Sequence, residues 1–336
     1  MRLFRHYTDL PPWTRGAVVA LGNFDGVHRG HRAVIGEAQR IAREFDVPLA
    51  VLTLEPHPLR VLAPETPPFR LSSLRSKAHR LDALGVDILF ALHFDRELAG
   101  MLAQDFVTEV LMDGLGACHL VVGYDFVFGH RRAGDPALLG QMAEMEGFGL
   151  TVVPPVGPAE GRDGHVYSST RIRDHLRHGR PREAAELLGH WWEVESRVLE
   201  GDRRGRRLGF PTANLTLDDY VQPAHGVYAV RMSIDEEGAS WRDGIANFGR
   251  RPTFGKEEVL LEVHLFDFTG DLYGRHVRVA FIRRVRGERR FDGPDALKAQ
   301  IAADCEAARD ILADPDNRPD RFAMPVGEAQ RRLAAR

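Results

Sequence analysis

The 336-residue sequence predicts a doubly wound α/β domain followed by a small all-β domain. Three observations carry that reading. Apolar runs alternate with helical periods through the first half of the chain. Near residue 190 this rhythm gives way to short segments of period two. Glycine-rich turns stand where the first strands end.

Ala17–Leu21 is a continuous apolar run that stops at Gly22, as a strand buried on both faces would. Between about His31 and Phe45, Val34, Ile35, Ala38, Ile41 and Ala42 recur at helical spacing. Leu49–Leu54 is the next apolar run, so strand, glycine loop, helix and strand make a βαβ unit. The pattern continues with helix Arg75–Leu84, strand Ile88–Leu92, helix Gln104–Met112, strand Leu120–Val122, helix Leu138–Glu146 and strand Leu150–Val153. Ligands of such domains sit beyond the carboxyl ends of the strands, which directs attention to the loops after Leu21, Leu54 and Val122. In the second half, Val227–Ile234, Trp241–Asn247, Val259–Phe268 and His276–Val285 read as strands. Turn residues lie between them at Asp235–Gly238, Gly249–Gly255 and Gly270–Gly274, which predicts a closed or sandwiched sheet. A last helix spans about Pro294–Leu312, and an Arg-, Pro- and Ala-rich tail follows from Pro315.

With 43% apolar and 28% charged residues and a net charge of −3, the composition is that of an ordinary globular protein. It gives no reason to expect a nucleic-acid partner; the arginine clusters at Arg203–Arg207 and Arg283–Arg290 are the only footprint such a partner would have. Cys118 and Cys305 are too few and too distant for a disulfide framework or a cysteine metal cluster, and point to the reducing cytoplasm. Met1–Pro12 has no signal-peptide core, and no run approaches the roughly 18–20 apolar residues of a membrane span. The expectation is a cytoplasmic protein with no membrane partner, its oligomeric state left open.

Leu21–His31 reads LGNFDGVHRGH. Gly22, Gly26 and Gly30 allow close approach of backbone to a ligand, and a helix starting near His28–His31 offers free N–H groups to an anion. His28 and His31 are three apart and share a helix face. Two imidazoles there can donate to phosphate oxygens; they can equally be a surface pair or part of a metal site, although no third ligand follows at suitable spacing. A second loop, VGYDFVFG at Val122–Gly129, follows another strand end. Ser168–Arg173, SSTRIR, opens a helix: Ser169 and Thr170 can cap it or donate to phosphate, and Arg173 supplies a planar cation.

Gly201–Leu217 reads GDRRGRRLGFPTANLTL. Glycines with interleaved arginines suit a polyphosphate, or a loosely bound nucleic acid. If the chain stays extended, Thr212 and Asn214 face one side and present hard oxygens of the kind Mg²⁺ accepts. Along Val259–Leu265, Glu262 falls on the face opposite Leu261 and Val263. It is either a solvated strand residue or a carboxylate that takes a hydroxyl proton.

These motifs together resemble the bacterial bifunctional riboflavin kinase/FAD synthetase family. GNFDGVHRGH, TLEPHP at Thr53–Pro58, LSSLRSKAHRLDALGVD at Leu71–Asp87, VGYDFVFGHRRAGD at Val122–Asp135 and SSTRIR match its adenylyltransferase module, one of the His-x-x-His nucleotidyltransferases. GxxxGRxLGFPTANL, GVYAV at Gly226–Val230, IANFGRRPTFG at Ile245–Gly255 and LEVHLFDFTGDLYG at Leu261–Gly274 match its riboflavin kinase module. The resemblance implies an α/β Rossmann-like nucleotidyltransferase domain over 1–186, a small antiparallel β-barrel domain with a C-terminal helix over 187–314, and a tail over 315–336. It implies that riboflavin is phosphorylated by ATP to FMN and that FMN is adenylylated by a second ATP to FAD and pyrophosphate. By that pattern His28 and His31 hold the triphosphate, and Gly22, Asn23, Asp25, Gly30, Gly123, Asp125, Ser169, Thr170 and Arg173 contact nucleotide or phosphate. Gly201, Gly205, Arg206 and Gly209 cradle the kinase ATP, Thr212 and Asn214 hold Mg²⁺, and Glu262 is the base. Leu54 and Val127 depart from the family pattern, where Phe and Arg are expected.

Overall fold

The structure is a computed structural model that describes residues 1–157, 166–200, 209–234, 240–253, 256–318 and 321, with side chains throughout except at 251–253 and 256–258. The chain forms two compact units: Met1–Pro67 with Leu74–Ser168, and Pro68–Ser73 with Ser169–Arg336.

In the first unit the apolar runs pair as a six-stranded, wholly parallel sheet. Its strands are β1 (Arg2–Phe4), β2 (Val18–Leu21), β3 (Leu49–Glu55), β4 (Ile88–His93), β5 (His119–Gly123) and β6 (Gly149–Val153), in the order β1-β4-β3-β2-β5-β6. Both faces are buried because alternate residues enter separate cores. Val19, Leu21, Leu52 and Phe90 pack with Val107, Leu111 and Leu139 on one face. Val18, Ala20, Val51 and Leu89 pack with Ile35, Ala38 and Leu81 on the other. The helices that cover them are α1 (Arg29–Phe45), α2 (Pro58–Leu62), α3 (Leu74–Ala83), α4 (Arg96–Gly100), α5 (Ala103–Asp105) and α6 (Pro136–Glu146). The helix expected over Gln104–Met112 is α5 running on into a π-helix, Phe106–Gly114. Strand order reverses at β2: β3 lies on one side and β5 on the other, so the crevice between the ends of β2 and β5 is the topological switch point.

The second unit opens with α7 (Ser169–Arg177) and α8 (Pro181–Leu188). Its sheet comprises β7 (Trp192–Arg197), β8 (Ala213–Leu215), β9 (Gly226–Ile234), β10 (Trp241–Thr253), β11 (Lys256–Leu265) and β12 (His276–Arg286). The order is β7-β12-β9-β10-β11-β8, all antiparallel. A bridge between Leu199, just past β7, and Asn214 in β8 curls the sheet toward a barrel. One face buries Trp192, Tyr228, Phe248, Leu261 and Phe281. On the other, Val227, Ala229 and Ile245 are covered by Cys305, Ala308 and Leu312 of the C-terminal helix α9 (Pro294–Ala313). Arg286 clamps Asp304 of α9 through bonds of 2.7–3.0 Å, and the buried Arg231 donates to the Leu312 carbonyl at 2.8 Å. The expected turn Gly249–Gly255 is corrected. Gly249 and Arg250 pair with Leu260 and Val259, so β10 continues to Thr253; ladder hydrogen bonds override a turn-like composition. The turn expected at Asp235–Gly238 and most of the tail lie outside the described residues.

Six residues inside the α/β sequence, Pro68–Ser73, belong to the second unit. Arg70 bridges Tyr220, and the Leu71 carbonyl accepts from the Trp192 indole at 3.1 Å. No periodicity marks that excursion.

Candidate active sites

The first site grows out of the end of β2. After Leu21 the chain reverses through Phe24 (φ 47°), Gly26 (φ 81°) and Val27 (φ 43°), closed by the Val27 N–H on the Phe24 carbonyl at 3.1 Å. Left-handed backbone at two non-glycine residues is unfavourable and marks a tightly built turn. His28 then caps α1: its Nδ1 accepts the His31 N–H at 3.2 Å. With Nδ1 an acceptor, a neutral ring carries its proton on Nε2, which is a donor of the kind a phosphate oxygen needs. The His31 ring stacks on it, centroids 3.6 Å apart and planes 17° apart, and Phe24 meets His31 edge-on at 5.3 Å. At Gly30 a Cβ would stand 3.2 Å from both the His28 ring and the Tyr167 carbonyl, so a side chain there would displace one of them by a few tenths of an ångström.

Charge is arranged for an anion. Helix starts favour carboxylates, yet the first turn of α1 has none. Instead burial, then the neighbouring Arg29 and Arg80, push the Arg32 guanidinium below its ordinary pKa. Below the turn, buried Lys77 of α3 donates to the Asn23 carbonyl at 2.7 Å and to the Thr53 hydroxyl at 3.0 Å. The Thr53 hydroxyl itself donates to the Asn23 carbonyl at 3.0 Å. Gly22, exposed Asn23 and buried Asp25 lie in this same turn.

β5 is the parallel neighbour of β2, so its end flanks the same crevice. There Gly123 lies close to Asp125, an exposed residue whose Oδ1 is 3.3 Å from where a Gly123 Cβ would be. The loop is pinned by the paired backbones of Phe128 and Gly134 and by Asp135, which caps α6. Val127 is exposed, and Leu54 is half-buried against the core. The structure thus joins Gly22, Asn23, Asp25, His28, Gly30 and His31 in one turn, with Gly123 and Asp125 beside it. Ser169, Thr170 and Arg173 stand in the first turns of α7, in the other unit, where Arg173 donates to the Phe69 carbonyl at 2.7 Å.

The second site lies on the sheet of the second unit. Register sets Glu262 opposite Asn214 on one side and opposite Asn247 on the other. Directly paired residues share a face, so the three side chains form a polar row. The row continues the outer face on which Val227 and Ile245 are covered by α9. Glu262 is half-buried between inward Leu261 and Val263, as the alternation predicts. The Asn214 Oδ1 is buried with no hydrogen-bond donor among the described residues. An orphaned hard oxygen of this kind fits a divalent cation completed by ligand oxygens, and half-buried Thr212 precedes it by two residues. His264, on the same face as Glu262, donates from Nδ1 to the Pro211 carbonyl at 2.8 Å and so ties down the Thr212 segment. Gly209 takes φ 91°, which requires glycine. Gly201, Gly205 and Arg206 lie outside the described residues.

Sequence reasoning passed over Arg29, Arg32, Lys77, Arg80, Asn247 and His264. All but Arg32, which directly follows one, stand inside quoted motifs, but only pairing and burial distinguish them from surface residues.

A histidine-capped helix start at the switch point of a parallel sheet in one unit, and in the other a curled antiparallel sheet with a carboxylate in register with an amide, fit a nucleotide-dependent transferase with two modules. Residues 11–171 match the FAD synthetase family and residues 188–312 the riboflavin kinase family. The bifunctional riboflavin kinase/FMN adenylyltransferase of Escherichia coli is 43% identical over 88% of this chain and 93% of its own. That of Pseudomonas fluorescens is 42% identical over 93% and 98%. A solved Streptococcus pneumoniae structure, described as a macrolide-efflux protein, covers 92% of this chain and 98% of its own at 33% identity and TM-score 0.79. Transport is said of that protein alone; among the described residues here, no helix is long and apolar enough to cross a membrane. The chain belongs to the bifunctional riboflavin kinase/FMN adenylyltransferase family. It is an enzyme, both riboflavin kinase and FMN adenylyltransferase (FAD synthetase), with riboflavin, FMN and ATP as substrates. Enzymes of this family use ATP and typically a divalent metal.

Proposed function

We propose that each reaction is carried by one of the two sites, with separate residues. At the β-sheet site, Glu262 takes the proton of the terminal ribityl hydroxyl of riboflavin. The freed oxygen attacks the γ-phosphorus of ATP, the bond to the β-phosphate oxygen breaks, and FMN and ADP result. Thr212 and Asn214 would hold Mg²⁺, which when bound neutralises phosphate charge. Gly201, Gly205, Arg206 and Gly209 cradle that ATP.

At the α/β site, a phosphate oxygen of FMN attacks the α-phosphorus of a second ATP. The bond to the β-phosphate breaks, giving FAD and pyrophosphate. His28 and His31 donate to the triphosphate and stabilise the charge that develops on the departing pyrophosphate. Gly22, Asn23, Asp25, Gly30, Gly123 and Asp125 shape the nucleotide pocket; Ser169, Thr170 and Arg173 add phosphate contacts. The residue division is 1–186 for the adenylyltransferase, 187–314 for the kinase and 315–336 for a tail. Two free cysteines suit the reducing cytoplasm as the place of work.

The observation that carries this reading is the pairing of Glu262 with Asn214, whose buried Oδ1 has no donor among the described residues. Isotopic transfer tests the chemistry. With riboflavin and Mg²⁺, γ-labelled ATP is expected to label FMN, and α-labelled ATP to label FAD while leaving FMN dark. Label reaching FMN from the α-position would refute attack at the γ-phosphorus.

A further inference from the structure

Lys77 is 1% exposed, an unusual place for an ammonium. Its Nζ lies 2.7 Å from the Asn23 carbonyl and 3.0 Å from the Thr53 hydroxyl, which lies 3.0 Å from the same carbonyl. Three elements meet at these atoms: α3, β3 and the turn that follows β2. Asn23 immediately precedes Phe24, where the backbone enters left-handed geometry, so its carbonyl is where the reversal is set.

We propose that Lys77 is a positioning residue for adenylyl transfer: with Thr53 it locks the Asn23 carbonyl and thereby holds the cradle open for a nucleoside triphosphate. This rests on the reading of the His28/His31 turn as the ATP cradle. Burying a cation is costly, and an apolar side chain such as that of Leu81, on the same helix, fills buried space without that cost. A charge offers two things an apolar residue cannot. It gives several hydrogen bonds from one atom, and it adds to the positive field of Arg29, Arg32 and Arg80 at the start of α1. A turn prepared in this way need not reorganise when a polyanion arrives.

The test uses the full chain, whose kinase reaction serves as an internal reference for folding. Lys77→Met is expected to raise KM for ATP in FAD formation by about tenfold or more, as loss of a charged hydrogen bond would, with KM for FMN little changed. Conversion of riboflavin to FMN stays at the parent rate. Lys77→Arg is expected to recover part of the ATP affinity. Thr53→Val, which keeps volume, raises the same KM by about two- to fivefold, and adds less than its full effect in the Lys77→Met background. Unchanged ATP KM in Lys77→Met overturns the proposal. If Lys77→Met does not fold, Thr53→Val decides, and an unchanged ATP KM there overturns it as well. His28→Ala with His31→Ala runs alongside. Loss of FAD synthesis in that pair, with Lys77 and Thr53 variants unaffected, removes only the role of Lys77. FAD synthesis surviving in that pair brings down the cradle reading and the proposal together.

Discussion

In the α/β unit the candidate site is built from places where elements stop and start: β2 ends, a left-handed turn reverses the chain, and His28 caps α1. In the second unit it is built in mid-strand, where Asn214, Glu262 and Asn247 stand abreast across three strands. The first arrangement offers backbone N–H groups, a helix start and ring donors. The second offers side-chain oxygens fixed by register. One site therefore depends on which residues lack a side chain, and the other on which side chains lie opposite one another.

The sharpest way to break this comparison is to remove the single carboxylate. Glu262→Gln keeps size and polarity but cannot accept a proton. FMN formation is expected to fall by about 100- to 10,000-fold, the range for loss of a general base. FAD synthesis from supplied FMN should persist; equal loss of both rates in folded protein would show that the sites are not separate.

The converse substitution acts on the cradle. His28→Ala with His31→Ala removes the cap of α1 along with both ring donors. FAD formation is expected to fall by about 100- to 1,000-fold, the scale for loss of a charge-stabilising donor. FMN formation is the control, measured by product analysis in the same reaction. A matching drop in FMN formation would mean that the turn serves both chemistries.

How much of each site could be read beforehand follows from the same contrast. Turns and helix starts are local, so LGNFDGVHRGH announces glycines, a helix onset and a histidine pair within eleven residues. Strand alternation is local too, and it put Glu262 on the half-exposed face of β11. Partners across a sheet are not local. Nothing in GFPTAN or IANFGRRPTFG announces that Asn214 and Asn247 flank Glu262, because register is fixed by ladder pairing over tens of residues. Lys77 is illegible for a similar reason. In RSKAHR it reads as one more solvated cation, and only the return of α3 beneath the β2 turn buries it. The excursion of Pro68–Ser73 into the second unit is set by pairing with Tyr220, some 150 residues away, by the count from Arg70 to Tyr220.

Smaller changes sharpen the comparison. Asn214→Ala deletes the orphaned oxygen while leaving the strand intact. The Mg²⁺ concentration for half-maximal FMN formation is expected to rise by about tenfold, as loss of one ligand would require, and removal of metal by a chelator should stop the reaction in parent and variant alike. An unchanged Mg²⁺ requirement would remove Asn214 from the metal site.

Gly30→Ala is the counterpart in the cradle: a methyl added where space is tight. Gly30 sits in the first turn of α1, where alanine by itself favours the helix by up to about 1 kcal/mol. The new methyl, however, would lie 3.2 Å from the His28 ring and 3.2 Å from the Tyr167 carbonyl. Each neighbour must yield by a few tenths of an ångström, and the ring is the one free to turn. Propensity gain and crowding oppose each other in stability, so Tm is expected to move by only about 2–4 °C in either direction, the scale of a 1 kcal/mol change in a domain of this size. Geometry has no such compensation: a tilted His28 ring loses its stacking on His31 and the aim of its Nε2. KM for ATP in FAD formation is expected to rise several-fold at unchanged FMN formation, an effect of about 1 kcal/mol. If Gly30→Ala lowers Tm steeply while ATP KM holds, the glycine serves packing of the turn and not the placement of His28.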